Sequence, residues 1–133
     1  MNTPDTTDQP GFQPLASGPM LQDEAAGPWH RRWLVVDAGL NWLDAHQAPG
    51  LSGLDLQLRF GYLALRAPGM LRLDIPLEVI EDDPDVECVV QVAGQSVRAV
   101  DEGDIAAAWF EQWLGQPCRL VKIHPEAAAV RWP

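Results

Sequence analysis

The residue types able to hold a metal or act as a nucleophile are few in this 133-residue chain: His30, His46 and His124, with Cys88 and Cys118. No histidine has a second histidine or a cysteine at a metal-ligand spacing, so each is expected at the surface or in a turn. The two cysteines lie far apart in apolar, strand-like contexts and are expected to be buried, reduced thiols, as in a reducing compartment. Cys118 has no basic neighbour in sequence to lower its pKa, and no serine has a histidine near it to serve as a base. Gly50-Leu51-Ser52-Gly53 lacks both the spacing and the lysine of a phosphate-binding loop. The acidic run from Glu78 to Glu87 lacks the glycine-centred geometry that orders calcium ligands and reads as a solvated loop. The residues by themselves thus point to no metal site and no catalytic constellation.

Charge narrows the partners. Nine Lys and Arg against nineteen Asp and Glu give a formal charge of −10, which disfavours nonspecific attraction to nucleic-acid phosphates. No apolar stretch approaches the roughly 20 residues of a membrane span, and no apolar run precedes Arg31 as in a secretory signal. A soluble, cytoplasmic protein with no nucleic-acid or membrane partner is the expectation.

The elements that would position any site are best marked between Val100 and Ile123. Asp101 and Asp104 suit the N-terminal end of a helix by hydrogen bonding and charge, Gly115 suits its left-handed end, and Pro117 forbids continuation. Ala106, Trp109, Phe110, Trp113 and Leu114 form one apolar stripe, which predicts a helix over about 104–114 lying on a core. Arg119 to Ile123 then alternates polar with apolar, as a half-buried strand does. Upstream, Trp33–Val36 and Trp42–Ala45 suggest a hairpin with Trp33 and Trp42 paired across it; Leu54–Phe60 with Leu63–Leu65 suggests a second, and Cys88–Val92 with Ser96–Val100 a third. Leu71, Leu73, Ile75 and Leu77 alternate in a further strand. The pattern predicts a mainly β fold, a small antiparallel β-barrel or curved sheet of about seven or eight short strands with one α-helix packed on it. Residues 1–11 are expected to be a mobile tail, 12–125 a single domain, and 126–133 a C-terminal tail whose Trp132 either folds back or stays exposed.

The order of several short motifs resembles that of the β-barrel domain that precedes the MOSC (molybdenum cofactor sulfurase C-terminal) domain. Arg31-Arg32-Trp33, Ala67-Pro68-Gly69 and Asp101-Glu102-Gly103-Asp104 match that family's motifs in order, and the resemblance runs from about Phe12 to Pro125. It places a first barrel strand at Gln13–Ser17 and the start of the next at Leu21–Ala26. It further implies a pterin cofactor lying between barrel and MOSC domain, its phosphate held by a Lys-Ser pair and by the Arg of a Thr-Ala-Arg-Gln motif. The corresponding residues here are Ala16, Ser17 and His46, with Asp44 in place of the Thr and Ala93-Gly94-Gln95 in place of a Trp-Gly-Asp. By resemblance, Ser17, His46, Arg31 and Arg32 are the candidate cofactor-binding residues.

Since the MOSC domain and its cysteine are not part of these residues, the expectation is a stand-alone, non-catalytic binding or docking module for a separate MOSC-domain or molybdoenzyme protein. The alternatives are a subunit of a split molybdenum-cofactor oxidoreductase or sulfur-transfer enzyme, with Ser17, His46 and Arg31 or Arg32 converging on one pocket, and a small-ligand carrier. No cofactor is expected on the chain alone; the molybdenum-pterin cofactor enters only with a partner chain.

Overall fold

The structure, a computed structural model, describes residues 11–78 and 85–133. Most of the expected N-terminal tail and residues 79–84 of the acidic run lie outside the described residues. Among the described residues, seven strands form two antiparallel sheets. One has the order β1-β7-β6-β5, with β1 at Trp33–Val36, β5 at Glu87–Val92, β6 at Gln95–Asp101 and β7 at Arg119–Ile123. The other is the meander β2 (Asp55–Arg59), β3 (Tyr62–Arg66) and β4 (Leu73–Pro76). Among the described residues the sheets do not close into a barrel. Single bridges, Val36 to Trp42 and Asn41 to Gln91, let residues 41 and 42 touch both outer strands of the four-stranded sheet.

The helix α1 spans Asp104–Leu114 and ends at Gly115, whose φ of 73° is the left-handed geometry that only glycine adopts without strain. Its start differs from the sequence expectation. Gly103 is the N-cap and no side chain caps the helix; Asp101 Oδ1 accepts from the Gly103 N–H at 2.7 Å, and the Asp101 and Asp104 carboxylates both pair with Arg119 of β7. The charged pair thus ties helix start to sheet instead of closing the first turn. The stripe does as its spacing predicts. Ala106, Trp109 and Phe110 are buried, and the indoles of Trp109 and Trp113 donate to the carbonyls of Leu71 at 2.6 Å and Gly50 at 2.8 Å.

The four-stranded sheet is buried on both faces, which a half-buried alternation did not foretell. Trp33, Val35 and Leu120 point into a core shared with Phe110 and with Leu56, Leu63 and Leu65 of the meander. Leu34, Val36, Val90, Val97 and Val121 form a second core on the opposite face, covered by Ala16, Leu40 and Trp42 and by Ala127, Val130 and Trp132 of the C-terminal tail. Lys122, the polar position of β7, is therefore buried too. Its Nζ donates to the Leu77 carbonyl and lies 5.1 Å from the Trp29 ring centre and 5.3 Å from that of Trp33. This is a carbonyl and two π faces in place of water. Burial pushes the Lys122 pKa down, opposed by Glu102.

The expected first strand at residues 13–17 is reduced to backbone bridges, Phe12 with Leu21 and Leu15 with Trp33, and Leu21–Ala26 leads into a 3₁₀ turn at Glu24–Trp29. Three prolines and several glycines in this stretch leave too few consecutive donors for a ladder. Trp42–Ala45 likewise makes one bridge and no strand, since Asp37 Oδ1 accepts from the N–H groups of Gly39 and Asn41 and folds the connection into a tight turn. Trp33 and Trp42 are consequently not paired. Trp33 stacks on Trp29 at 5.8 Å, and Trp42 meets Trp132 edge-on at 5.1 Å.

Candidate functional site

Residues 13–18 and 30–33 run side by side and are pinned together by backbone and side-chain bonds. Trp33 donates to the Pro14 carbonyl, Ala16 to that of Trp33, and Arg31 to that of Gln13 at 2.7 Å. The Gln13 side chain completes the junction, its Nε2 donating to the Gly18 carbonyl at 2.8 Å and its Oε1 accepting from Arg31 Nε at 3.1 Å. The Gln13 N–H donates to Nδ1 of His30 at 2.9 Å, which holds that ring neutral; burial, and then the Arg31 charge, lower the His30 pKa.

Two residues at this junction are in the left-handed region, Ser17 at φ 71° and Arg31 at φ 53°. Non-glycine residues pay roughly 1–2 kcal/mol to sit there. Both line one pocket of about 140 Å³, together with Gln13, Ala16, Trp42, Trp132 and Pro133. Strained residues gathered at a cavity are a recognised mark of functional sites.

The chemistry of the pocket is one-sided. Gln13 engages only Nε of Arg31, so the terminal guanidinium groups keep donors for a ligand. Among the described residues nothing bonds the Ser17 hydroxyl, and the buried indole N–H of Trp42 has no partner. No Asp or Glu side chain lines the pocket. A guanidinium and a hydroxyl beside a small cavity suit an oxyanion, since the charge-assisted bonds are the strong ones.

Of the four residues singled out by resemblance, the structure thus brings Ser17 and Arg31 together. Arg32 faces a neighbouring cleft of about 220 Å³ that it shares with His30, Arg31, His124 and the tail. Its guanidinium lies over Trp29 at 5.7 Å, and its Nε is buried without a partner among the described residues. His46 lines neither space. It is exposed on a turn in which Asp44 Oδ1 accepts from the N–H groups of His46 and Gln47. The Asp44 carboxylate is used by that turn. Gln13, Trp42 and Trp132 were not legible as site residues: each arrives from a different segment, and no motif marks them. No group of three or more His, Cys, Asp or Glu able to hold a metal occurs among the described residues.

Comparison with known proteins bears on the same region. The model of the MOSC N-terminal beta barrel domain family matches residues 17–117. The chain is 30% identical over 101 residues to a molybdenum cofactor sulfurase of Danio rerio, covering 74% of this chain and 12% of that protein. It is 32% identical over 94 residues to mitochondrial amidoxime reducing component 2 of Rattus norvegicus, covering 70% of this chain and 27% of that protein. The match thus spans less than a third of either relative. Among solved structures, the solution structure of a Bordetella bronchiseptica protein is 47% identical, with a TM-score of 0.79, and the alignment covers 92% of this chain and 95% of that one.

Proposed function

Because the chain belongs to the family of MOSC N-terminal beta barrel domains, we propose that it is a non-catalytic module that docks on a MOSC-type partner domain and offers it a phosphate-sized anion site. The observation that carries this proposal is the convergence of Ser17 and Arg31 on one pocket that no Asp or Glu side chain lines. The phosphate of a pterin cofactor fits that donor set, and this chain's part is to hold and neutralise it. When bound, such a cofactor would supply redox or sulfur-transfer chemistry that none of the chain's own residues provides. Ala16, where the resemblance places a lysine, removes one positive charge and makes the site weaker than the family pattern implies.

A bond from the Arg31 guanidinium to phosphate contributes roughly 1.5–3 kcal/mol, a factor of about ten to a hundred in affinity. Equilibrium dialysis of inorganic phosphate at low ionic strength should give saturable binding to the native chain and at least tenfold weaker binding to Arg31→Ala. Absence of saturable binding to the native protein would overturn the anion site. Dialysis of the molybdenum-pterin cofactor with and without a purified MOSC-domain protein tests the docking part, with retention expected when both proteins are present. Retention in neither case would remove the cofactor from the proposal.

A further inference from the structure

The outer strand of a sheet presents backbone N–H and C=O groups to whatever can pair with them. Among the described residues, most of the sheet edges are engaged, in part or whole, or blunted. The β1 carbonyls of Trp33 and Val35 accept from Ala16 and Leu43, and both backbone groups of Gln91 in β5 bond residues 40 and 42. At the far side of the meander β4 ends in Pro76, which has no N–H to offer, and carries the Arg72–Asp74 ion pair. The edge of β2 has none of these devices.

β2 runs into β3 through the two-residue turn Phe60-Gly61, both at positive φ, so Arg59 and Tyr62 close the ladder. Bonding to β3 therefore falls to Asp55, Gln57 and Arg59, and the N–H and C=O groups of Leu56 and Leu58 point away from it. Among the described residues no group bonds them. Leu56, Gln57 and Leu58 line an open cleft with Leu21, Gln22 and Asp23.

We propose that this edge pairs with the same edge of a second copy of the chain, antiparallel about a two-fold axis at Gln57. The order of residues makes the strand self-complementary. Asp-Leu-Gln-Leu-Arg set against its own reverse places Leu56 opposite Leu58 of the second copy and Asp55 opposite Arg59 of the second copy, and the symmetry repeats both pairs. Leu56 and Leu58 are the residues with outward backbone groups, so each such pair exchanges both of its hydrogen bonds, and the Gln57 pair on the axis is the non-bonded one between them. Charge agrees with this register. Asp55 and Arg59 are exposed on one face and have no ion-pair partner among the described residues. Four positions apart in a strand that rises roughly 3.3 Å per residue, they are too distant to pair with each other. Across the axis they meet. Phe60, at the end of the same strand, is 94% exposed at a φ of 48°, a bare ring held in a strained conformation. In this register it stands opposite Leu54 of the second copy, which draws the ring into the interface. The shared edge is short and each copy carries a formal charge of −10, so the pairing is a weak one that needs concentrated protein.

Sedimentation equilibrium of the full chain up to about 1 mM tests this, in about 0.15 M salt so that charges more than roughly 8 Å apart are screened. The native protein is compared with Asp55→Arg, with Arg59→Asp and with the variant carrying both. These side chains are exposed and none lines the pocket of Ser17 and Arg31. The native chain should show a monomer–dimer equilibrium. Either single substitution sets like charges opposite one another and should weaken it about tenfold, although the two move the net charge in opposite directions. The double variant, and an equimolar mixture of the two single variants, should recover the native constant, since opposite charges face each other again. Amide exchange at Leu56 and Leu58 should slow as the concentration rises, with that of Gln57, already bonded to β3, little changed. A chain that stays monomeric, a dimer indifferent to the single substitutions, or a weakening that the double variant does not reverse overturns the proposal. So does slow exchange at Leu56 and Leu58 in the monomer, which would mean that a segment of the chain itself covers the edge.

Discussion

Ser17 allows the anion site to be separated from the fold, because its backbone is strained and its hydroxyl bonds nothing among the described residues. Ser17→Ala and Ser17→Gly both delete the hydroxyl, but only the second removes the Cβ that opposes φ 71°. Relief of the left-handed conformation contributes roughly 1–2 kcal/mol. The greater freedom of glycine in the unfolded chain returns about 0.4–1 kcal/mol of that. The Gly variant should therefore be more stable than the Ala variant by about 1 kcal/mol, a difference in Tm of some 3–6 °C for a chain of this size. Both should bind inorganic phosphate about two- to tenfold more weakly than the native protein, the worth of one neutral hydrogen bond at roughly 0.5–1.5 kcal/mol. Urea unfolding and phosphate titration of the three proteins measure the two effects separately. The reasoning is refuted if Ser17→Gly is less stable than Ser17→Ala, which would mean the side chain is structural, or if both variants bind phosphate as tightly as the native chain.

Three further outcomes follow from the packing and the titrating groups. Phe110 is fully buried where helix and both sheets meet, so Phe110→Ala should cost about 3–5 kcal/mol in urea unfolding, with the loss in midpoint and not in slope. His30 has a folded pKa below its ordinary 6.5, so the unfolded chain takes up the proton first. Its contribution to stability is complete above about pH 6.5 and is lost as the pH falls through the folded value, and His30→Gln should flatten that part of the stability–pH curve. Burial pushes both thiols up, that of Cys118, with Glu111 beside it, to about 11, but Cys88 is only half-buried whereas Cys118 is buried. A thiol reagent at about pH 8 should therefore label Cys88 well before Cys118, and the two should react alike only in denaturant.

What was legible in the sequence was local. The bounds of α1 and β7 match their expected positions because Gly115, Pro117 and the Trp109–Phe110–Trp113 stripe act within a few residues of themselves. The hairpins around Gly61 and Gly94 are equally local, each glycine taking the positive φ that its turn requires. Pairing between distant segments was not legible. Nothing in the order of residues tells that Trp42 meets Trp132, that Arg119 claims the two aspartates expected at the helix start, or that Lys122 is enclosed by Trp29 and Trp33. The candidate site falls between these cases. Resemblance pointed to Ser17 and Arg31, but it also pointed to His46, which a turn built by Asp44 holds outside the pocket. The residues that reach in from other segments, Trp42 and Trp132, emerge only once they are seen packed against the same sheet.

The Trp42 indole offers the most direct test of the anion site, since its residue lines the pocket, whereas Trp109 and Trp113 donate to carbonyls elsewhere. In a proton–nitrogen correlation spectrum of the native chain titrated with inorganic phosphate, the Trp42 indole resonance should shift and saturate together with the backbone amides of Ser17 and Arg31. The Trp109 and Trp113 indoles should stay in place. A Trp42 resonance that does not move, or indole shifts of equal size at all three positions, would contradict a phosphate site at this pocket.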